Sequence, residues 1–305
     1  MARHLLEIDD LAPAELDSVL DLAERAGPPA VLAGRGVALV FEKPSARTRS
    51  SMEMAVVQLG GHPVTIRGDE VGLDTRETTE DVARTLACFH AVIAARVLAH
   101  TTLERMVSVL EGEGHSPVPV VNLLSDQGHP VQALADLLTL RQHFGRLEGL
   151  TIAFVGDGNN VARSLALGCA LSGATFRIAS PDGFALPLAE VARVAAIGGA
   201  IDTFSSPPEA VAGADAVYTD TWTSMGQEGE AEDRRAAFAG YRVDRALMDR
   251  AAKGAVFLHC MPAHRGEEVA SEVMDGPRSL IWQQAENRMH AARGLLWWLA
   301  NRRGR

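Results

Sequence analysis

The sequence contains few cysteines and almost no lysine, and these shortages exclude some classes of protein. Cys88, Cys169 and Cys260 stand far apart in a chain of 305 residues, which argues against a disulfide framework. Lysine occurs only at Lys43 and Lys253, so nearly every cationic side chain is an arginine. Coding bias accounts for most of these arginines, but it does not explain why several cluster in particular loops.

Long apolar runs are also missing. No stretch approaches the roughly 18 unbroken apolar residues of a membrane span, and residues 1–5 lead into acidic residues without the apolar centre of a signal peptide. The formal net charge is −10, whereas a nucleic-acid-binding surface is usually basic. We therefore expect a cytoplasmic protein without nucleic-acid or membrane partners, in which a local basic pocket can still hold a small anion.

Short β-type runs alternate with longer helical patterns, and this alternation predicts parallel sheets with crossover helices. The predicted strands are residues 36–41, 64–66, 91–94, 118–121, 151–155, 175–179, 216–219 and 255–258. One helix is expected from Pro130 onward and a last one over about 285–300. The fold class is therefore α/β, with two doubly wound parallel-sheet domains and an active site expected in the cleft between them.

The predicted domain boundary lies where the strand pattern restarts, near residue 147. We expect a first domain over residues 1–146, joined by the C-terminal helix 285–303 packing back on it, and a second domain over residues 147–284.

The segment from Ser45 to Arg49 joins a predicted strand to a predicted helix. That geometry directs free backbone N–H groups and the positive end of the helix dipole toward any ligand above the strand. Ser45, Thr48 and two arginines, Arg47 and Arg49, add donors that match an oxyanion. From chemistry alone, an anion site and a simple serine-capped helix with solvated arginines remain comparable interpretations.

The same segment resembles the Ser-Thr-Arg-Thr-Arg motif of the aspartate and ornithine carbamoyltransferases, which holds the phosphate of carbamoyl phosphate. The resemblance implies that Ser45, Arg47, Thr48 and the backbone at Ala46 bind phosphate. Ala46 replaces the common threonine, so one hydroxyl is lost, worth about 1 kcal/mol for a single hydrogen bond.

Three further segments extend this resemblance over nearly the whole chain. His129 and Gln132 match the family's His-Pro-x-Gln, which contacts the carbamoyl group. Arg96, with His100 four residues on, matches the arginine that polarises the carbamoyl oxygen. Arg288, in the last predicted helix, matches an arginine that reaches carbamoyl phosphate.

A second group of residues resembles the part of ornithine carbamoyltransferases that binds the amine. Asp220, followed by Ser224 and Met225, is similar to the loop that binds ornithine, and Asp220 chemically suits an ammonium group. Asn160 matches the family's asparagine at the ornithine carboxylate. The resemblance therefore implies that carbamoyl phosphate and L-ornithine are the substrates and that L-citrulline and phosphate are the products.

Cys260 and Met261 lie in a segment similar to the family's His-Cys-Leu-Pro, which implies that both contact carbamoyl phosphate. The resemblance predicts four catalytic residues, which are Cys260, Arg96, His129 and Thr48. A zinc site from His259, Cys260 and His264 is the competing interpretation, but the spacing fits no usual zinc pattern and no fourth ligand is evident nearby. We expect no metal and no organic cofactor.

Other functions stay open at this stage. Gly156 and Gly158 follow a strand as in a dinucleotide-binding fingerprint, but Val161 stands where a third small residue is needed. A non-catalytic relative, or a carbamoyltransferase for another amine such as putrescine or acetylornithine, would also keep the fold. Putrescine lacks a carboxylate and would leave Asn160 without a task.

The resemblance also implies a homo-oligomer, a trimer or a multiple of trimers. In the family a loop glutamine, or a serine and lysine in aspartate enzymes, reaches the neighbouring subunit's phosphate. Gly72 or Val71 aligns with that position, so such a contact is not expected in its usual form.

Overall fold

The computed structural model describes residues 3–112, 118–223 and 228–302. The chain forms two compact units: the first comprises Met1–Ala135 and Glu286–Arg305, and the second comprises Asp136–Ala285. The boundary at residue 147 was inferred from the restart of the strand pattern and stays a prediction.

The first unit is a four-stranded parallel sheet in the order β2-β1-β3-β4. Its strands are β1 (Gly36–Phe41), β2 (His62–Arg67), β3 (His90–Arg96) and β4 (Val120–Leu124). The first helices along the chain, after a 3-10 turn at Ile8–Asp10, are α1 (Pro13–Glu24), α2 (Ala46–Gln58), α3 (Gly68–Val71), α4 (Thr79–Phe89) and α5 (His100–Leu110). The next helix, α6 (Pro130–Phe144), begins in the first unit and ends in the second.

The two central strands of this sheet, β1 and β3, are almost entirely buried. Continuous apolar runs are expected of parallel strands that are covered on both faces. Phe41 at the end of β1 pairs with Arg96 at the end of β3. The loops that leave these strands therefore start side by side at one edge of the sheet, where ligands bind in folds of this kind.

The second unit is a five-stranded parallel sheet in the order β7-β6-β5-β8-β9. Its strands are β5 (Thr151–Val155), β6 (Thr175–Ala179), β7 (Ile201–Phe204), β8 (Ala216–Thr219) and β9 (Val256–His259). Its helices are α7 (Asn160–Ser172), α8 (Leu188–Ala196), α9 (Pro207–Val211), α10 (Ala231–Ala237), α11 (Arg245–Met248) and α12 (Ser271–Met274), with a 3-10 turn at Glu228–Glu230.

The last helix, α13 (Ile281–Arg302), begins four residues before the predicted start and packs against α1, as predicted. Gly294 lies so close to α1 that a Cβ atom there would be 2.5 Å from the carbonyl oxygen of Val19. Arg293 donates to the carbonyl oxygen of Ala23 at 2.6 Å. The α/β class with two parallel sheets is confirmed. Among the described residues, no helix combines the length and apolarity that crossing a membrane requires.

Candidate active site

The helix α2 begins at the segment that was predicted to bind an anion. Ser45 caps it, because its Oγ accepts the backbone N–H of Thr48 at 3.3 Å. Ala46 and Arg47 in the first turn are exposed, whereas Thr48 is buried. The first turn carries no acidic residue, so no side chain of its own opposes the positive end of the helix dipole.

Two arginines from distant parts of the chain converge on the Thr48 hydroxyl. Arg96, the last residue of β3, places Nη1 at 3.5 Å from Thr48 Oγ1, and Arg288 of α13 donates from Nη2 at 3.0 Å. Arg288 also donates to Oε1 of Gln132. Both arginine residues are buried, at 6 % and 5 % exposure. The start of α2 is therefore strongly positive, in a part of the protein where water screens charge weakly.

His129, the residue before α6, lies in the same electrostatic environment. It is buried, and burial together with the charges of Arg288 and Arg96 holds the pKa of its imidazole well below the usual range. At neutral pH the ring is therefore uncharged and offers one donor and one acceptor. His100, four residues after Arg96, places its Nδ1 at 2.8 Å from Ser125 Oγ.

In the second unit, Asp220 follows β8 and Cys260 follows β9. These strands are neighbours, with Thr219 paired to His259, so the next residues of each strand lie close together. The Cys260 thiol donates to Asp220 Oδ1 at 3.0 Å, and the Thr221 N–H donates to the same oxygen at 2.8 Å. This brings together the predicted acid and the predicted thiol.

The other oxygen of Asp220 binds a residue that sequence analysis missed. Asn159 donates from Nδ2 to Asp220 Oδ2 at 2.8 Å. Its own Oδ1 accepts the N–H groups of Val161 and Ala162 at the start of α7, so the cap fixes the amide toward Asp220. An asparagine directly before a helical pattern is a capping signal. Asn160, the residue that was predicted, is the half-buried first residue of α7.

Ser224 and Met225 lie outside the described residues. The chain just before them is held by Arg234, which donates to the carbonyl oxygen of Trp222 and to the carboxylate of Asp157. Burial raises the pKa of Asp157, although the charge of Arg234 opposes that shift. The Arg234 guanidinium also lies over the rings of Phe184 and Phe238, at 4.8 and 5.6 Å, an arrangement that favours a cation.

Buried polar groups stabilise the turn that carries Cys260. Met261 is half-buried and adopts a left-handed backbone conformation with φ of 65°. Its N–H donates to Nδ1 of His259 at 2.9 Å, and the other ring nitrogen lies 3.3 Å from Glu268 Oε1. The backbone N–H of His259 donates to Gln284 at 2.9 Å. Glu268 and Gln284 carried no sequence signal, because their role depends on tertiary contacts.

Metal-ligand side chains occur in two groups within the described part of the chain, and neither is the set that was considered from sequence. Asp220, His259 and Cys260 form one group, and His264 lies with Glu267 and Glu268 in the other. In each group the ligand atoms lie within 4.8 Å of one another. The absence of a metal from the reaction stays a prediction.

Gly158, one of the two glycines of the possible dinucleotide fingerprint, serves the packing of the second unit. A Cβ at Gly158 would lie 2.5 Å from the backbone nitrogen of Leu186 and 2.7 Å from the carbonyl carbon of Ala185. The chain's own backbone therefore occupies the space that a pyrophosphate needs beside such a glycine. This geometry argues against a dinucleotide site there.

Comparison with known protein families gives a match over both units. Residues 3–142 match the model of the aspartate/ornithine carbamoyltransferase, carbamoyl-P binding domain. Residues 148–299 match the model of the aspartate/ornithine carbamoyltransferase, Asp/Orn binding domain.

Individual proteins are similar over the full length of the chain. An ornithine carbamoyltransferase of Acidothermus cellulolyticus is 49 % identical, with 100 % of this chain and 98 % of the relative covered. The crystal structure of ornithine carbamoyltransferase from Thermus thermophilus matches with a TM-score of 0.88 and 43 % identity, over 98 % of this chain and 99 % of that one. The ornithine carbamoyltransferase from Pyrococcus furiosus matches with a TM-score of 0.90 and 39 % identity, over 97 % and 96 %.

Proposed function

The chain belongs to the aspartate/ornithine carbamoyltransferase family, and we propose that it transfers the carbamoyl group of carbamoyl phosphate to the side-chain amine of L-ornithine. The products are L-citrulline and phosphate. The observation that carries the proposal is the convergence of Arg96 and Arg288 on Thr48 at the start of α2. The names of the full-length relatives direct the choice of amine toward ornithine.

The start of α2 supplies the phosphate site in this proposal. Ser45, Arg47 and Thr48 bind the phosphate oxygens together with the backbone N–H of Ala46, and Arg288 adds a second guanidinium. A helix N-terminus and arginine forks are suited to a dianion. Arg47 is exposed and on the first turn, so its side chain is available to a ligand that arrives from solvent.

The carbamoyl group is bound by the neighbouring residues of the same unit. Gln132 and the neutral imidazole of His129 contact the carbamoyl group through uncharged hydrogen bonds. Arg96 and Thr48 donate to the carbonyl oxygen, which gains negative charge as the carbonyl carbon becomes tetrahedral. Donors fixed in advance around a developing oxyanion are a large source of rate enhancement.

Ornithine is bound by the second unit. Asp220 accepts the ammonium group, and Asn160, Ser224 and Met225 complete the ornithine site. Asp220 is 7 % exposed and already accepts three hydrogen bonds, so its two oxygens have fixed positions. A preoriented carboxylate selects an amine at lower entropic cost than a mobile one.

The reaction requires the free amine as nucleophile. An alkyl amine resembles the lysine side chain, with a pKa of about 10.4, so roughly one molecule in 2,500 is neutral at pH 7, a cost of ~4.6 kcal/mol. Cys260 and Asp220 take up the proton that the side-chain ammonium group of ornithine loses. Met261 contacts carbamoyl phosphate. The C–N bond then forms, the C–O bond to phosphate breaks, and the phosphate leaves with the second proton of the amine.

The decisive experiment is citrulline formation from ornithine and carbamoyl phosphate by the purified chain. Aspartate, putrescine and acetylornithine are offered separately as the acceptor. We expect turnover with ornithine alone. A higher kcat/KM with any other amine would overturn the choice of substrate, and tight binding of NADH, seen as quenching of tryptophan fluorescence, would overturn the reaction class.

We further propose that the enzyme is a cytoplasmic homotrimer, or a multiple of trimers, that acts in arginine metabolism and amino-acid biosynthesis. The resemblance to the family supports this assembly. Light scattering after size-exclusion chromatography is expected to give a multiple of three times the 32.5 kDa chain mass. A monomer or dimer would contradict it.

A further inference from the structure

Three metal-ligand side chains meet in the turn between β9 and α12, outside the residues used for catalysis in the proposed function. They are His264, Glu267 and Glu268, and one ligand atom of each lies within 4.8 Å of the other two. His264 Nδ1 is 3.6 Å from Glu268 Oε2. We refer to these three residues as the 264–268 cluster.

Glu268 is the member that points to a ligand, because its side chain is completely buried. Its Oε1 accepts the backbone N–H of His264. Its Oε2 is also shielded from solvent and accepts no hydrogen bond from any residue that the structure describes. A buried carboxylate oxygen without a hydrogen-bond donor is costly, and this oxygen lies 3.6 Å from His264 Nδ1.

The local backbone keeps the three side chains together. Glu267 N–H donates to the His264 carbonyl at 2.9 Å, and Gly266 N–H donates to the Val269 carbonyl at 2.8 Å. These bonds close a tight turn around the buried Glu268. The side chains of His264 and Glu267 are 53 % and 36 % exposed, so both can rotate inward toward Glu268.

The donor types decide which cation fits. We propose that the 264–268 cluster binds one divalent transition-metal ion, with Zn²⁺ as the best match. Imidazole with carboxylates suits zinc, whereas magnesium and calcium prefer oxygen ligands alone. Around a tetrahedral zinc, ligand atoms lie roughly 3.4 Å apart, so the half-exposed members need to move inward by about 1 Å, and water completes the shell.

One cation already competes for this position. Arg235 Nη2 lies 3.2 Å from Glu267 Oε1. Removal of the Arg235 charge is therefore expected to strengthen metal binding, whereas loss of a metal-ligating side chain is expected to weaken it. The two effects have opposite signs, and a general loss of structure cannot produce both.

The first measurement is a calorimetric titration of the chelator-treated full chain with ZnCl₂. We expect one ion per chain. Binding should weaken at least tenfold in His264→Ala and in Glu267→Gln, and should strengthen in Arg235→Gln. His143→Ala, at an exposed histidine of α6, is the matched control and should bind like the unchanged protein. Circular dichroism confirms folding, and the conservative Glu267→Gln keeps the test valid if His264→Ala does not fold.

The second measurement separates the 264–268 cluster from the group formed by Asp220, His259 and Cys260. Co²⁺ bound to imidazole and carboxylates gives weak visible bands, whereas a thiolate ligand adds an intense charge-transfer band in the near ultraviolet. We expect no such band. The proposal is overturned by failure of the unchanged protein to bind Zn²⁺, by equal affinity in His264→Ala, or by a charge-transfer band that Cys260→Ser abolishes.

Discussion

His129 shows how burial, together with neighbouring charges, sets the protonation state of a side chain in the first unit. Its imidazole is buried beside Arg288 and Arg96, and these surroundings lower its pKa. In the unfolded chain the same histidine titrates near 6.5. Between that value and the lower folded value, the unfolded chain therefore binds one proton that the folded protein excludes.

This difference predicts a loss of stability in mild acid. Above about pH 6.5 both states of His129 are neutral, and the free energy of unfolding is unaffected by it. As the pH falls below that value, the free energy of unfolding decreases by up to ~1.4 kcal/mol per pH unit. Urea unfolding of the protein and of His129→Asn between roughly pH 7.5 and 5.5 measures the effect.

The control is His143→Asn at an exposed position of α6, which should keep the acid dependence of the unchanged protein. His4 and His290 also have lowered pKa values caused mainly by burial. His129→Asn should therefore reduce the pH dependence of the free energy of unfolding without abolishing it. Parallel curves for the protein and His129→Asn would contradict the proposed state of this ring.

Thr48 is the residue on which the cations of the first unit converge. Thr48→Val keeps the shape but removes the oxygen that accepts from Arg96 and Arg288. We expect carbamoyl phosphate to bind about tenfold more weakly in calorimetry, consistent with the loss of one hydrogen bond to charged groups. Ser50→Ala, at an exposed position of the same helix, should bind carbamoyl phosphate normally. Equal affinities of Thr48→Val and Ser50→Ala would show that Thr48 does not contribute to the carbamoyl phosphate site.

Among the secondary-structure elements, the buried strands were the most predictable. β1, β5 and β8 have the bounds expected from their apolar runs, because a strand covered on both faces leaves a continuous hydrophobic signal. The strand β7 (Ile201–Phe204) was missed. It forms the edge of the second sheet, and its two middle residues are exposed, so its sequence shows neither a long apolar run nor regular alternation.

The site was predictable where a side chain directly follows a strand. Asp220 and Cys260 directly follow neighbouring strands, and parallel topology alone brings such residues together. Arg234 and Glu268 were not predictable in the same way. Arg234 is buried through contacts with residues as distant in sequence as Asp157, and a single sequence shows an ordinary arginine in a charged helix.

The packing of α13 on α1 depends on a single glycine. A Cβ at Gly294 would meet the backbone nitrogen of Ala23 at 2.7 Å in addition to the Val19 carbonyl oxygen. Alanine normally favours a helix over glycine by about 1 kcal/mol. Here we expect Gly294→Ala to lower the free energy of unfolding by ~1–3 kcal/mol, because the helices are forced apart.

Chemical denaturation of Gly294→Ala tests this contact. Asn301→Ala, at an exposed position of the same helix, should change stability by less than ~0.5 kcal/mol. If Gly294→Ala were more stable than the unchanged protein, helix propensity would outweigh the steric conflict. The described close approach of α13 to α1 would then be contradicted.

In the proposed function, the binding of carbamoyl phosphate and the binding of ornithine are assigned to separate parts of the chain. A protein with a net charge of −10 concentrates buried arginines in the first unit, where an anion is to bind. The second unit presents a buried carboxylate, Asp220, for an ammonium group. If each ligand is recognised by the charges of one unit, as proposed, a substitution in one unit should affect one substrate.

Asp220→Ala tests this division. We expect citrulline formation to fall by at least about a hundredfold, because loss of a buried charge partner costs ~3–5 kcal/mol. Calorimetry should show carbamoyl phosphate binding with nearly unchanged affinity. Asp202→Ala, at an exposed carboxylate of β7, is the control and should retain activity.

Asp220→Asn separates charge from structure in the same experiment. The amide keeps an oxygen that can accept from the Thr221 N–H and the Cys260 thiol, but it has no charge for an ammonium group. Ornithine use should therefore fail in Asp220→Asn as it does in Asp220→Ala. The new amide nitrogen faces the Asn159 donor, so circular dichroism is used to confirm that the variant is folded. If carbamoyl phosphate binding disappears in the folded Asp220→Asn, then Asp220 serves both substrates and the separation of tasks is wrong.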